Sequence, residues 1–212
     1  MKIAYQGIAG SFSESCAKKM YPDCETISCK TFDECFEKAS QDSSIRTIIP
    51  ESNKTTGNIG VEYLIFKYRL NIYAEHFFPI KHNLLGIKES KLSDIKNVYS
   101  HAQALSQSSE FIKKNNLNEN VRADTAGSAK YVAEAKDKSK AAISSSLSAK
   151  IYGLDILCEK IQDDKNNLTR FLVMGKEIYQ PEFKVENYIT SFLFKLKSKP
   201  AALYSALSGI AI

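Results

Sequence analysis

Apolar and polar positions recur with two different periods along this chain, and the switches between them mark out its elements. Ile3-Ala4-Tyr5 opens a predicted strand over 2–6. A Gly/Ser turn, a helix over 13–20, a strand over 24–29, a helix over 31–40 and a strand over 45–49 follow. Such alternation of strand and helix predicts a mainly parallel sheet. Two helix starts carry their own signal: Ser11 with Glu14, and Thr31 with Glu34, fit the capping box, which occupies backbone N–H groups left free at a helix start. Past Pro50 the pattern turns polar and predicts a loop over 51–58, then a helix over 60–68 and a strand-rich passage over 71–87.

A second unit repeats the scheme, with strands over 97–100, 120–124 and 140–143 and helices over 101–114, 127–136 and 146–151. Two such units predict an α/β protein of two lobes, periplasmic-binding-protein-like, with mainly parallel sheets and an interlobe cleft. The chain crosses near 75–80 and returns near 156–162, so the apolar strand over 168–174 rejoins the first lobe's sheet above a hinge. The expected division is one domain over 1–178, with lobe one at about 1–76 and 162–178 and lobe two at about 77–161. Beyond Gly175 a polar connection containing Pro181 leads to a strand over 188–196 and a helix from Pro200. One strand and one helix cannot bury a core, so residues 187–212 read as the start of a further α+β domain.

Composition narrows the partners. The net charge of +5 would suit acidic ones, but the basic residues are scattered among 24 acidic ones, which argues against a nucleic-acid surface. Five cysteines, odd in number and without a CxxC pair, fit reduced thiols in the cytoplasm. His76, His82 and His101 lie in no metal-ligand spacing and no Walker-type loop is present, so neither metal nor cofactor is expected. No apolar run approaches the ~20 residues of a membrane helix.

Candidate chemistry gathers where strands meet helices. Small hydroxyl or glycine residues occupy the junctions 7–13, 100–103, 124–128 and 144–146, all at carboxyl ends of predicted strands. Open α/β sheets bind ligands there, and helix starts favour anions, so a small carboxylate between the lobes is expected. His101 reads equally as a first-turn helix residue or a base. In Asn167-Leu168-Thr169-Arg170-Phe171 a hydroxyl and a guanidinium sit together where a strand begins. Strand alternation sends Thr169 and Phe171 to one face and Arg170 to the other, where it can pair with a carboxylate. Such donors stabilise developing charge and suit a reaction with strong internal driving force.

Six segments, YQGIAGSFS (5–13), EHFFPIKHNLLG (75–86), YSHAQALSQ (99–107), DTAGSAK (124–130), IYGLDIL (151–157) and NLTRF (167–171), together resemble the prephenate dehydratase family from residue 1 to about 177. The tail ITSFLFKLKSKPAALYSAL (189–207) resembles the opening of the ACT regulatory domain that follows in that family. The resemblance implies that Thr169 is the key catalytic hydroxyl and that Asn53, Ser100 and Gln107 are also catalytic. It places Ser11, Ser13, Asp124, Thr125, Ser128, Arg170 and Phe171 around the substrate. The loop Pro50-Glu51-Ser52-Asn53-Lys54 departs from the family pattern: Ser52 stands at the usual glutamate position and Lys54 at the usual serine, and Lys54 is expected to meet a substrate carboxylate. Ser108 replaces the usual cysteine.

The implied reaction is decarboxylative dehydration of prephenate to phenylpyruvate, carbon dioxide and water, without a cofactor. Arogenate is an alternative substrate, and a non-catalytic two-lobed carboxylate sensor the alternative function. The family further implies a homo-oligomer, dimer or tetramer, with phenylalanine as effector only in a full-length chain. With the sequence ending at Ile212 before the effector motif of the ACT domain, insensitivity to phenylalanine is expected.

Overall fold

The computed structural model describes residues 1–178 and 195–209. Residues 1–179 form one compact unit and 180–212 a second. In the first unit the opening β-α-β-α-β run is β1 (Lys2–Gln6), α1 (Phe12–Met20), β2 (Glu25–Cys29), α2 (Phe32–Gln41) and β3 (Ile45–Asn53). Both expected helix starts form, with Ser11 Oγ accepting from the Glu14 amide at 3.2 Å and Thr31 Oγ1 from the Glu34 amide at 3.1 Å. The return halves of the boxes differ from expectation. Glu14 Oε2 takes the amide of Gly10 and Glu34 Oε2 that of Lys30, in each case one residue outside the cap.

β3 runs through Pro50 to Asn53 and turns back as β4 (Gly57–Asn58), so the expected loop at 51–58 is a hairpin. Proline is tolerated there because the ladder to β11 (Leu168–Gly175) shifts register opposite it, the signature of a bulge. After α3 (Glu62–Tyr68), β5 (Asn71–Pro79) closes the first sheet in the order β2-β1-β3-β11-β5.

The chain then crosses into the second sheet, order β10-β6-β9-β7-β8, built from β6 (Asn83–Gly86), β7 (Asn97–Ser100), β8 (Asn118–Val121), β9 (Lys140–Ser144) and β10 (Asp155–Cys158). The expected helix over 101–114 is two, α4 (Ala102–Ser106) and α5 (Ser109–Lys114), parted at Gln107 and Ser108. Asp163 explains the break, since its carboxylate takes the amides of Ser109 and Glu110 and so caps α5 from another segment. α6 (Thr125–Ala135) and α7 (Ser146–Tyr152) cover the opposite face.

The two sheets and the double crossing match the expected α/β architecture; mainly parallel sheets need correcting. Parallel pairing holds within β2-β1-β3 and β9-β7-β8, whereas β11, β5, β6 and β10 pair antiparallel, as does the hairpin strand β4. The reason is directional: strands that carry the chain between lobes run against the neighbours they join. β5 extends to Pro79, which moves the first crossing to 80–82. Each sheet has an apolar layer on both faces, Ala4, Phe36, Ile49 and Leu172 on one side of the first and Ile3, Tyr5, Ile48 and Phe171 on the other.

In the second unit a helix, α8 (Ala202–Ser208), forms where one was expected from Pro200. The strand expected over 188–196 lies mostly outside the described residues, and residues 195 and 196 are not in a strand. Among the described residues no helix is long and apolar enough to cross a membrane.

Candidate active site

The site is built where β3 and β11 end against the two crossings. In the ladder Thr169 lies opposite Asn53 and opposite Phe78, so the three share a face. Asn53 Oδ1 accepts the backbone amides of Thr55 and Thr56 at 2.9 and 3.2 Å, which fixes the amide's orientation: its Nδ2 must face the other way. From there Nδ2 donates to Thr169 Oγ1 at 2.7 Å and to Asn167 Oδ1 at 2.8 Å. Asn167, thus oriented, donates from Nδ2 to Gln107 Oε1 at 3.1 Å. That oxygen is also 3.0 Å from His82 Nε2, which must therefore carry the ring proton.

A directional chain follows, anchored on two backbone N–H groups and running Asn53, Asn167, Gln107 with His82 at its end. Thr169 Oγ1 is an acceptor within it, and among the described residues nothing accepts the hydroxyl's own proton. Gln107 Nε2 and His82 Nδ1 are buried and lack partners among the described residues. The unused donors, a hydroxyl and a carboxamide N–H, can stabilise charge developing on a departing oxygen.

His82 is 2 % exposed, with Phe12 packed edge-on against its ring at 5.4 Å. Burial pushes its pKa below the ordinary 6.5, opposed by the hydrogen bond to Gln107. Below that ordinary value the unfolded chain binds a proton that the folded chain refuses. The contribution is fully present above 6.5 and is lost as the pH falls toward the depressed folded value. Urea midpoints should therefore drop between pH 7 and 5.5 with a slope from this group of at most about 1.4 kcal/mol per pH unit. In His82→Gln, which keeps an N–H toward Gln107, that component should vanish. An unchanged pH slope would show the ring to be of no account.

Thr169, Asn53 and Gln107 are thus brought together. Ser100 is not: its hydroxyl is fully buried and donates to the Ile143 carbonyl at 2.7 Å, tying β7 to β9. Asp124 and Ser128 take part in the start of α6, Asp124 Oδ1 accepting the Gly127 amide and Ser128 Oγ donating to the Asp124 carbonyl. Thr125 is half-buried in the first turn of α6. Ser11 caps α1 and Ser13 is buried in its first turn. His101 is an N-cap whose Nδ1 accepts the Gln103 amide, neither a first-turn residue nor a free base.

Phe171 is corrected from the ligand to the core, since it packs among Ile3, Tyr5 and Ile48 with 2 % exposure and cannot meet a substrate. Arg170, on the other face, pairs with Glu75 at 2.8 Å and Glu51 at 3.4 Å, so its charge braces β5, β11 and β3. The bulge at Pro50 is what brings Glu51 within reach. Lys54 is exposed, and its amide donates to the Leu168 carbonyl.

Sequence reasoning missed His82 and the part played by Asn167. It also missed the contact from lobe two, Gln103 Nε2 to Thr56 Oγ1 at 2.9 Å, that bridges the lobes. A second bridge lies at Gly10, whose carbonyl accepts Ser145 Oγ at 2.5 Å and Ser148 Oγ at 2.9 Å, while Tyr152 donates to the Ala9 carbonyl. Small hydroxyls at 144–146 were legible, but neither Ser148 nor their target was. Among the described residues no cluster of metal-ligating side chains occurs.

Two α/β lobes on a double crossing, with a hydroxyl and carboxamides gathered at the hinge, define a two-lobed α/β cleft protein. The chain belongs to the prephenate dehydratase family, whose model matches residues 3–179. It is 39 % identical over its whole length to "Arogenate dehydratase 2" of Petunia hybrida and 38 % to "Arogenate dehydratase/prephenate dehydratase 1, chloroplastic" of Arabidopsis thaliana, covering 54 % of each. The chain spans about half the length of the curated relatives it matches. Among solved structures it is similar over its whole length to the quorum-quenching acylase GqqA (28 % identity, TM-score 0.85, 77 % of that chain). It is also similar to the prephenate dehydratase of Staphylococcus aureus (25 % identity, TM-score 0.77, 79 % of that chain).

Proposed function

We propose that this chain carries out decarboxylative dehydration of prephenate, or of its amino analogue arogenate, on the way to phenylalanine. The observation that carries this reading is the Asn53 to Thr169 hydrogen bond, which leaves the threonine proton for the substrate. In the reaction the bond from the ring to its carboxylate breaks and carbon dioxide departs, leaving its electron pair in the ring. The C–O bond on the opposite ring carbon then breaks, and the oxygen leaves with that bond's pair, taking up one proton to become water. Aromatisation supplies the driving force, so a donated hydrogen bond from Thr169, with the proton drawn from solvent, is enough. The carboxamide N–H of Gln107 is the group that would orient the substrate, and the start of α6 at Thr125, capped by Asp124, adds its positive dipole end.

Assay of phenylpyruvate formed from prephenate, beside phenylalanine formed from arogenate, tests the reading; turnover of neither would end it. The names of the relatives support both substrates. Lys54 enters the same reading as a contact at the cleft mouth: Lys54→Ser should raise KM several-fold at low salt and little at high salt. A KM unchanged at low salt would remove the contact. Five free thiols support a reducing compartment, the cytoplasm in this reading, although the Arabidopsis relative's name is chloroplastic. A homo-oligomer, and an ACT segment through which phenylalanine acts in a longer chain, belong to the reading on family grounds.

A further inference from the structure

Beside α1 a cavity of about 200 Å³ lies between elements of both lobes. Phe12, Ser15 and Lys19 line it from α1, where spacings of three and four put them on one stripe. Phe78 and Lys81 line it from the end of β5 and the crossing, and Ser146 from the start of α7. None of these belongs to the amide chain around Thr169. Phe12 stands between cavity and chain, since the same ring meets His82 edge-on.

The chemistry of the lining is divided. Phe12 and Phe78 present phenyl rings, and Phe78 is held in place by an edge contact to buried Phe171 at 6.1 Å. Lys19 Nζ hangs 5.8 Å from the centre of the Phe78 ring. Among the described residues neither Lys19 nor Lys81 has a carboxylate partner, unlike Lys38, Lys67, Lys130, Lys138 and Lys140. The Ser15 hydroxyl already donates to the Ser11 carbonyl and that of Ser145, also in the lining, to the Gly10 carbonyl, which leaves Ser146 as the neutral donor. Lys19 and Lys81 are exposed to solvent, and two ammonium groups without a carboxylate beside a hydroxyl favour an anion there, while two phenyl walls favour a flat apolar body. Inorganic phosphate would leave the rings bare.

We propose that this cavity is a second ligand site, distinct from the one at Thr169, for a small aromatic monocarboxylate. Its ring rests against Phe12 and Phe78 and its carboxylate sits between Lys19 and Lys81. Because α1 belongs to one lobe and α7 to the other, the occupant bridges the lobes beside the hinge.

The test is a titration of the ¹⁵N-labelled 212-residue chain with 3-phenylpropionate, followed by amide chemical shifts. Saturable shifts at Phe12, Lys19, Phe78, Lys81 and Ser146 are expected. Affinity should fall about tenfold in the Lys19→Met/Lys81→Met double variant and should be unchanged in Thr169→Val. Shifts at both sites, with only the cavity set lost in the double variant, would also support it. Shifts confined to Asn53, Gln107 and Thr169, an affinity in the double variant within twofold of the parent, or no saturation at millimolar probe would each overturn it.

Discussion

Thr169→Val is expected to lower kcat by roughly 10² to 10⁴-fold, the usual worth of a positioned proton donor, while a product-like carboxylate still binds. Valine keeps the branched shape that β11 needs but removes both hydroxyl functions: the proton offered to the leaving oxygen, and the lone pair that accepts from Asn53 Nδ2 at 2.7 Å. That amide hydrogen is buried, so the variant should also lose about 1–3 kcal/mol of stability. The two losses separate experimentally. Thr169→Ser restores hydroxyl and acceptor together and should recover most of kcat. Turnover in the valine variant close to the parent's would remove Thr169 from the mechanism, and with it the observation on which the proposed reaction rests.

The second large effect is structural. Gly10 has φ +91°, and a Cβ there would lie 2.6 Å from Ser148 Oγ and 2.8 Å from Ser148 Cα. The first contact could be relieved by a rotamer change; the second is with backbone and cannot. Left-handed strain adds about 1–2 kcal/mol. Gly10→Ala should therefore cost about 3 kcal/mol or more in urea unfolding, and Ser148→Ala in the same chain should not rescue it. The hydrogen bonds of Ser145 and Ser148 to the Gly10 carbonyl, and of the Gly10 amide to Glu14, would be strained by the same movement. A loss below about 1 kcal/mol would mean that the loop yields freely and the lobes are not latched there.

Local signals in the sequence located most elements within a residue or two. Ser11, Thr31, Asp124 and Ser145 each cap the helix that follows, and capping is decided by residues within a few positions of one another. What failed was whatever depended on distant partners. The division of 101–114 into two helices follows from Asp163, some fifty residues on, and the passage of β3 through Pro50 depends on the bulge against β11. Strand direction is not written in periodicity either, hence the excess of parallel pairing in the expectation. The site shows the same limit. The family pattern marks Thr169, Asn53 and Gln107, but it marks Ser100, Asp124 and Ser128 equally, and these three are engaged by the backbone. Only the three-dimensional arrangement tells a hydroxyl that holds a strand from one that faces a ligand.

The place of β11 in the first sheet has a consequence for the order in which the molecule can come into being. β1, β2 and β3 leave the ribosome first, but the gap between β3 and β5 is closed by residues 168–175, after the whole of the second sheet has been made. The second sheet draws on one unbroken run, 83–158, whereas the first must close a loop of more than a hundred residues between Asn53 and Thr169. The Thr169 hydroxyl rides on that closing strand. A chain that has made everything up to β10 has Asn53 and Gln107 in hand but neither the Asn167 that links them nor the Thr169 that Asn53 holds, so the hydrogen-bonded cluster is assembled only when β11 docks.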